Sequence, residues 1–214
     1  MIRIEIKEFG FKQKKMFLDM EFELKNRVYV LSGVNGIGKS TLINLITGLV
    51  DSDIRIYVND KKIEPYFNDY IFKVNDSLSN FKYFTLSESI EYFSLTQGQK
   101  LPNIEDIIYE LKLNEFLNSK ITIGDMSRGT VQKCEYLISK IVSASCLLID
   151  EGLENIDVET RSCIMSDILH RSQFDGKCFI IATHDTSIEN RATNFIKMSR
   201  LESSSIVKGT SKNV

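Results

Sequence analysis

The segment Gly33-Val-Asn-Gly-Ile-Gly-Lys-Ser-Thr41 constrains this chain more than any other. It fits the pattern G-x-x-x-x-G-K-[ST] at Gly33, Gly38, Lys39 and Ser40. Glycines let successive backbone N–H groups turn into one concavity, which is an anion nest. Lys39 brings a full positive charge that can reach terminal phosphates, and Ser40 a hydroxyl that can ligate Mg²⁺. In the following Thr41-Leu-Ile-Asn-Leu-Ile-Thr47, Leu42, Leu45 and Ile46 recur at helical spacing. A helix N-terminus there would aim its positive dipole end at the same phosphates. The preceding Arg27-Val-Tyr-Val-Leu31 is short, apolar and β-branched, and reads as a buried strand. Strand, glycine turn, helix is the order a phosphate-binding loop requires.

Composition narrows the partners. The chain has 214 residues, enough for a sizeable core, and a net charge of −2. A near-neutral balance gives no support to nucleic acid as a direct partner. No apolar run approaches the ~20 residues needed to span a bilayer. The N-terminal Met1-Ile-Arg-Ile-Glu-Ile-Lys7 alternates apolar and charged residues, a strand pattern and not a signal peptide. Cys134, Cys146, Cys163 and Cys178 lack C-x-x-C spacing and read as free, mostly buried thiols of a reduced, cytosolic protein.

Along the chain, residues 1 to about 31 read as strands, and Arg55–Ile63 as a hairpin turning at Asn59-Asp60. From about 76 to 140 the pattern turns helical. Leu86–Phe93 has helical periodicity, Ile104, Ile107, Ile108 and Leu111 follow behind Asn103 as an N-cap, and Leu113, Phe116 and Leu117 continue the apolar face. Cys146–Ile149 and Cys178–Ala182 are apolar runs of strand length separated by a helical stretch at 157–170. Strand, helix, strand implies a parallel sheet covered on both faces. From about Ser203 the chain is polar and serine-rich, and a poorly ordered tail over 204–214 is expected.

Cys146-Leu-Leu-Ile-Asp-Glu151 ends an apolar strand in two carboxylates. Beside a phosphate loop, Asp150 is placed to hold Mg²⁺ and Glu151 to polarise an attacking water. Met126-Ser-Arg-Gly-Thr130 precedes an apparent helix, where Ser127 could cap or a Ser-x-Gly could bind an anion. His184 follows the strand Phe179–Ala182, at the sheet edge where ligands bind in open α/β sheets.

These segments, in the order Gly33–Thr41, Met126–Thr130, Leu147–Glu151, Ile156-Asp157 and His184, resemble the ATP-binding subunit of an ABC transporter over about residues 1–200. The resemblance implies an α/β phosphate-loop NTPase with a mostly parallel core sheet, an antiparallel β subdomain and a helical subdomain at about 76–140, all in one domain over 1–203. It implies a Mg²⁺-dependent ATPase, cofactors ATP and Mg²⁺, and a homodimer or heterodimer of ATPase subunits with ATP shared between them. Gly33, Asn35, Gly36, Gly38, Lys39, Ser40 and Thr41 would cradle phosphates and Mg²⁺. Asp150 would hold Mg²⁺, Glu151 would be the general base, and His184 would contact the γ-phosphate. Ser127 and Gly129 would touch the nucleotide of the partner subunit, and Asp157 would cross the dimer interface. Phe11, or next Phe9, would stack on adenine.

Three motifs depart from the family pattern. Thr130 replaces the last Gln of the signature, Gly152 stands where proline commonly follows the glutamate, and Asn75 or Asp76 stands for the glutamine that contacts Mg²⁺. The function expected is powering transport, with export favoured, through a separate transmembrane partner on the inner face of the cell membrane. The alternative is a nucleotide-dependent regulatory or nucleic-acid- or ribosome-associated module with little turnover. The absence of a coiled-coil insertion and of a duplicated domain favours transport.

Overall fold

The computed structural model describes residues 1–11, 14–65, 69–98, 103–192, 194–200 and 207–213; the side chains of residues 11, 14, 186, 200 and 207–213 lie outside this description. Its parallel centre follows from the apolar runs. β3 (Val28–Ser32), β7 (Cys146–Asp150) and β8 (Cys178–Ala182) are almost entirely buried, as strands covered on both faces must be. β3 pairs with β8, β8 with β7, and β7 with β6 (Ile71–Lys73), all parallel. β9 (Asn194–Arg200) lies parallel to β3 on its other side.

Alternation along each strand divides the core in two. Val28, Val30, Leu147, Ile149, Phe179 and Ile181 face one apolar cluster, which they share with the helices α2 (Leu86–Thr96), α3 (Glu105–Glu110), α5 (Arg128–Ile141) and α6 (Val158–Phe174). Tyr29, Leu31, Cys146, Leu148, Cys178 and Ile180 face the other cluster, together with α1 (Lys39–Ile46). There α1 is met by the apolar faces of β1 (Ile2–Phe11), β2 (Lys14–Leu24) and β4 (Arg55–Val58). These strands and β5 (Lys61–Ile63) pair antiparallel. Asn59 and Asp60 between β4 and β5 both have positive φ, the turn that matches the twist of a two-residue hairpin. The α/β architecture read from the sequence is thus present, as one sheet of order β5-β4-β1-β2-β10-β9-β3-β8-β7-β6, in which β10 is Val207–Asn213.

Three local expectations change. Val207–Asn213, inside the expected tail, forms β10, antiparallel to β9 from Val207↔Arg200 to Asn213↔Asn194. Ladder bonds come from the backbone, so a polar segment without apolar alternation can still be a strand. Lys112, at φ 57°, ends α3, so Leu113, Phe116 and Leu117 belong to a separate short α4 (Asn114–Leu117) and its N-cap. Asn103 does not cap α3; Ile104 holds that position, and the Asn103 Oδ1 accepts from the Glu105 N–H at 3.2 Å. The signal at Thr85 is cleaner: Thr85 and Glu88 form a reciprocal capping box that starts α2. A 3₁₀ turn (Ile123–Asp125) leads into α5, and α7 (Thr186–Glu189) follows β8.

Polar groups buried between α5 and α6 are paired. Tyr136 Oη donates to Asp167 at 2.5 Å, Lys140 Nζ reaches the same carboxylate at 2.7 Å, and Arg171 donates to the Ser139 carbonyl at 2.7 Å. Burial, and then the Asp167 charge, push the Tyr136 phenol well above its usual range, so it stays the donor. Tyr136→Phe keeps the packing and removes one buried bond; a loss of about 1–2 kcal/mol is expected, read as a lower urea midpoint with unchanged slope.

Candidate functional site

Strand register brings the candidate residues to one edge. Leu31 is level with Ala182, Ala182 with Asp150, and Lys73 with Leu148 two residues earlier. The chain therefore leaves β3 into Gly33–Gly38, β7 into Glu151, β8 into His184 and β6 into Asn75 at the same C-terminal rim.

At that rim the phosphate-loop segment folds back under β2. Gly36 and Gly38 take φ of 70° and 111°, and a Cβ on Gly38 would stand 2.3 Å from Met16 Cε. Gly38 is the N-cap of α1 and supplies no side-chain cap, so the first N–H groups of the helix are left to an outside acceptor. Lys39 is 6% exposed, and its ammonium donates to the Gly33 carbonyl at 2.9 Å. Asn35, Gly36, Gly38, Lys39, Ser40 and Thr41 line a cavity of about 410 Å³ together with Glu151, His184 and Met16.

Ser40 Oγ donates to Asp150 Oδ1 at 3.0 Å. Burial raises the Asp150 carboxyl above its usual range, with the Ser40 bond and the Lys73 charge pulling it back. A hydroxyl and a carboxylate side by side are oxygen donors of the kind a hard divalent cation takes. Glu151 departs from strand geometry with φ 54°, a left-handed conformation that costs a residue with a Cβ roughly 1 kcal/mol or more. The Glu151 N–H donates to the Ala182 carbonyl at 2.9 Å, which anchors the bend. The bend brings Glu151 Oε1 to 3.3 Å from His184 Nε2, both side chains remaining about two-fifths exposed to the cavity.

Other expected residues lie apart from this cavity. Ser127 caps α5, accepting from the Thr130 N–H at 3.1 Å. Gly129 is crowded by the loop before α6: a Cβ there would meet the Asn155 carbonyl oxygen at 2.3 Å. Asp157 caps α6 through the Thr160 N–H at 3.0 Å and pairs with Lys133 at 2.9 Å, contacts that hold its carboxyl well below the usual carboxylate range. Asn75 is 8% exposed and its Oδ1 accepts the Asp150 N–H at 2.7 Å, so the amide oxygen expected on Mg²⁺ is engaged by backbone. Asp76 pairs instead with Lys73 at 2.9 Å. Phe9 is a core residue packed on Phe17 at 5.9 Å and presents no face to a base; β1 carries Phe11 at its end, with the side chain outside the described residues. Among the described residues no cluster of His, Cys, Asp and Glu has the form of a separate metal centre, and the four cysteines are free.

Comparison with known proteins decides the family. The ABC transporter family model matches residues 17–154, which is most of the chain. The chain belongs to the ABC transporter family. An ABC transporter ATP-binding protein of Methanocaldococcus jannaschii is 24% identical over 188 residues, 86% of this chain and 68% of the relative. The spermidine/putrescine import ATP-binding protein PotA of Salmonella typhimurium is 25% identical over 82% of this chain, which spans 48% of that protein. The fold is also that of a dimeric post-hydrolysis ATP-binding cassette bound to ADP and Pi, with a TM-score of 0.78 at 17% identity, covering 100% of this chain and 98% of that one.

Within this ABC chain, two charged groups near Asp150 escaped the motif reading. Lys73, at the end of β6, donates to Asn44 Oδ1 at 3.2 Å and to Asp76, and its charge acts on Asp150. Glu135 is 5% exposed on α5 and lines a second cavity, of about 400 Å³, with Ser40, Asn75, Asp150 and Glu151. The available signal was its register, one turn after Val131 on the apolar face of the helix. Burial pushes the Glu135 carboxyl up to about 7, against the opposing pull of the Leu78 and Asp76 N–H groups and Lys73; Asp76 adds to the rise.

An acid raised on folding stabilises the fold below its unfolded pKa and loses that contribution as pH climbs through the folded one. Glu135 should therefore make the protein more stable as pH falls from about 7 towards 4.5, by an amount on the order of 2–4 kcal/mol. Glu135→Gln should flatten that part of the stability profile, read by urea melts at several pH values.

Proposed function

We propose that this chain binds and hydrolyses ATP as one half of an ATPase dimer that drives a separate transmembrane partner. The observation that carries the reading is the convergence of Ser40, Asp150, Glu151 and His184 beside the Gly33–Thr41 loop. The α1 N–H groups and Lys39 bind the phosphates, Lys39 exchanging the Gly33 carbonyl for phosphate oxygen. Ser40 and Asp150 would hold Mg²⁺, which when bound would neutralise charge on the phosphate oxygens. Glu151, bent out of β7, accepts a proton from the attacking water. His184 orients Glu151 and reaches the γ-phosphate. Ser127 and Gly129, at the start of α5 and away from the chain's own phosphate cavity, serve the nucleotide of the partner copy, with Asp157 beside them. The dimeric cassette with the same fold supports that arrangement.

Glu151→Gln keeps the shape and removes the base. Turnover of ATP should fall by at least about 10²-fold while ATP binding is retained, in a phosphate-release assay paired with nucleotide titration. Turnover at the wild-type rate would overturn the assignment of Glu151.

No helix of the described residues is long and apolar enough to cross a membrane. In the proposed reading the chain reaches the cytoplasmic face of the membrane through its partner. Tagged protein recovered in mild detergent should carry a polytopic membrane protein, and recovery of none would count against the transport reading. Vesicles containing that complex would then tell export, expected from the sequence, from import, the activity in the name of PotA.

A further inference from the structure

Two departures from the family pattern, Asn75 and Gly152, touch each other. β6 ends at Lys73; the Val74 N–H still donates to the Leu148 carbonyl at 2.8 Å, and at Asp76 the chain turns away with φ 63°. The next rung is made by a side chain. Asn75 Oδ1 accepts the Asp150 N–H at 2.7 Å, extending the β6–β7 ladder one step beyond its backbone. The side chain reaches that point by lying over residue 152. A Cβ on Gly152 would stand 1.6 Å from Asn75 Nδ2, 2.3 Å from its Cγ and 2.4 Å from its Oδ1. Gly152 does not take a left-handed φ, so the requirement for glycine there is one of space alone.

We propose that Asn75 is a positioning residue for Asp150, and that it and Gly152 form one interlocked unit in which the amide fills the volume a side chain at 152 would need. The inference rests on the reading of Asp150 as a Mg²⁺ ligand. The sequence pointed to Asn75 as a ligand itself, yet its oxygen is committed to the strand end. The amide acts on the metal site through the backbone of Asp150, whose carboxylate stands 3.0 Å from Ser40 Oγ. Because the amide is neutral, it fixes Asp150 without adding a charge to a rim that already holds Asp76, Asp150, Glu151 and Lys73. A bulkier residue at 152 would force the amide off the rung, leaving the Asp150 N–H without its partner and the carboxylate without a fixed direction.

The test is a double-mutant cycle on the full chain with Asn75→Ala, Gly152→Ala and the pair. Melting temperature is measured in chelator without nucleotide, and affinity for a fluorescent ATP analogue with Mg²⁺ and with chelator. Gly152→Ala should lower the melting temperature by roughly 3–10 °C in the wild-type background and by under about 1 °C beside Asn75→Ala. The gain in affinity on adding Mg²⁺ should fall about 10-fold in each single variant and no further in the pair. An equal melting cost for Gly152→Ala in both backgrounds would overturn the interlock. Loss of affinity by the same factor with and without Mg²⁺ would overturn the positioning role. If Gly152→Ala does not fold, recovery of folding in the pair supports the proposal and its failure to fold refutes it. A wild-type chain without any Mg²⁺-dependent gain would remove the reading of the site, while the melting cycle would still decide the interlock.

Discussion

A hydrogen bond of 3.0 Å from Ser40 to Asp150 joins the first turn of α1 to the end of β7, across 110 residues of sequence. Its length depends on the register of the parallel strands β3, β8 and β7, because one step of slip in β7 would turn Asp150 to the other face. That register is set by burial. Residues of β3, β7 and β8 alternate between two apolar clusters, and both clusters are lined with large side chains. The sheet has no solvent face in this region to absorb a slip, so the core that stabilises the fold also fixes the geometry of the site.

The same economy governs α5 and α6. Gln132 Oε1 accepts the Asn155 N–H at 3.2 Å, Lys133 reaches Asp157, and Tyr136, Lys140 and Arg171 close the gap further along. Ser127 and Asp157, the caps of the two helices, are therefore held by a common set of contacts. The absence of a side chain at Gly129 is what lets the Asn155 carbonyl approach. The two helix starts thus form one piece of surface.

Much of this was legible in the sequence, for a physical reason. The phosphate loop, the apolar strand ending in Asp150-Glu151 and His184 each combine a residue type with a local pattern, and local patterns survive without knowledge of tertiary contacts. What stayed hidden depended on contacts across the chain. β10 forms from backbone bonds that polar residues 207–213 do not advertise. Glu135 belongs to no motif, and it is the packing of α5 that places it in the core. Asn75 was visible as an unusual residue, and its ligand role followed from the family pattern; only the Asp150 N–H at 2.7 Å and the missing Cβ of Gly152 show where its oxygen points. Phe9 failed as a base platform because it is buried against Phe17 in the core, although strict alternation from Ile2, Ile4 and Ile6 would turn it to the other face.

The rim also explains why strain and burial can coexist there. Asp150 is desolvated and raised, Glu151 sits in a left-handed conformation, and Glu135 is buried nearby with its carboxyl near neutrality. Each of these costs folding free energy in isolation. Lys73 offsets part of the cost, since its single charge acts on both Asp150 and Glu135 while bonding Asn44 and Asp76. The Ser40 hydroxyl and the Asp150 and Glu151 carboxylates stand together at this rim, oxygen donors of the kind a divalent cation would take. On the reading of Ser40 and Asp150 as metal ligands, stability given up at the rim in the free chain is returned as affinity for the cation.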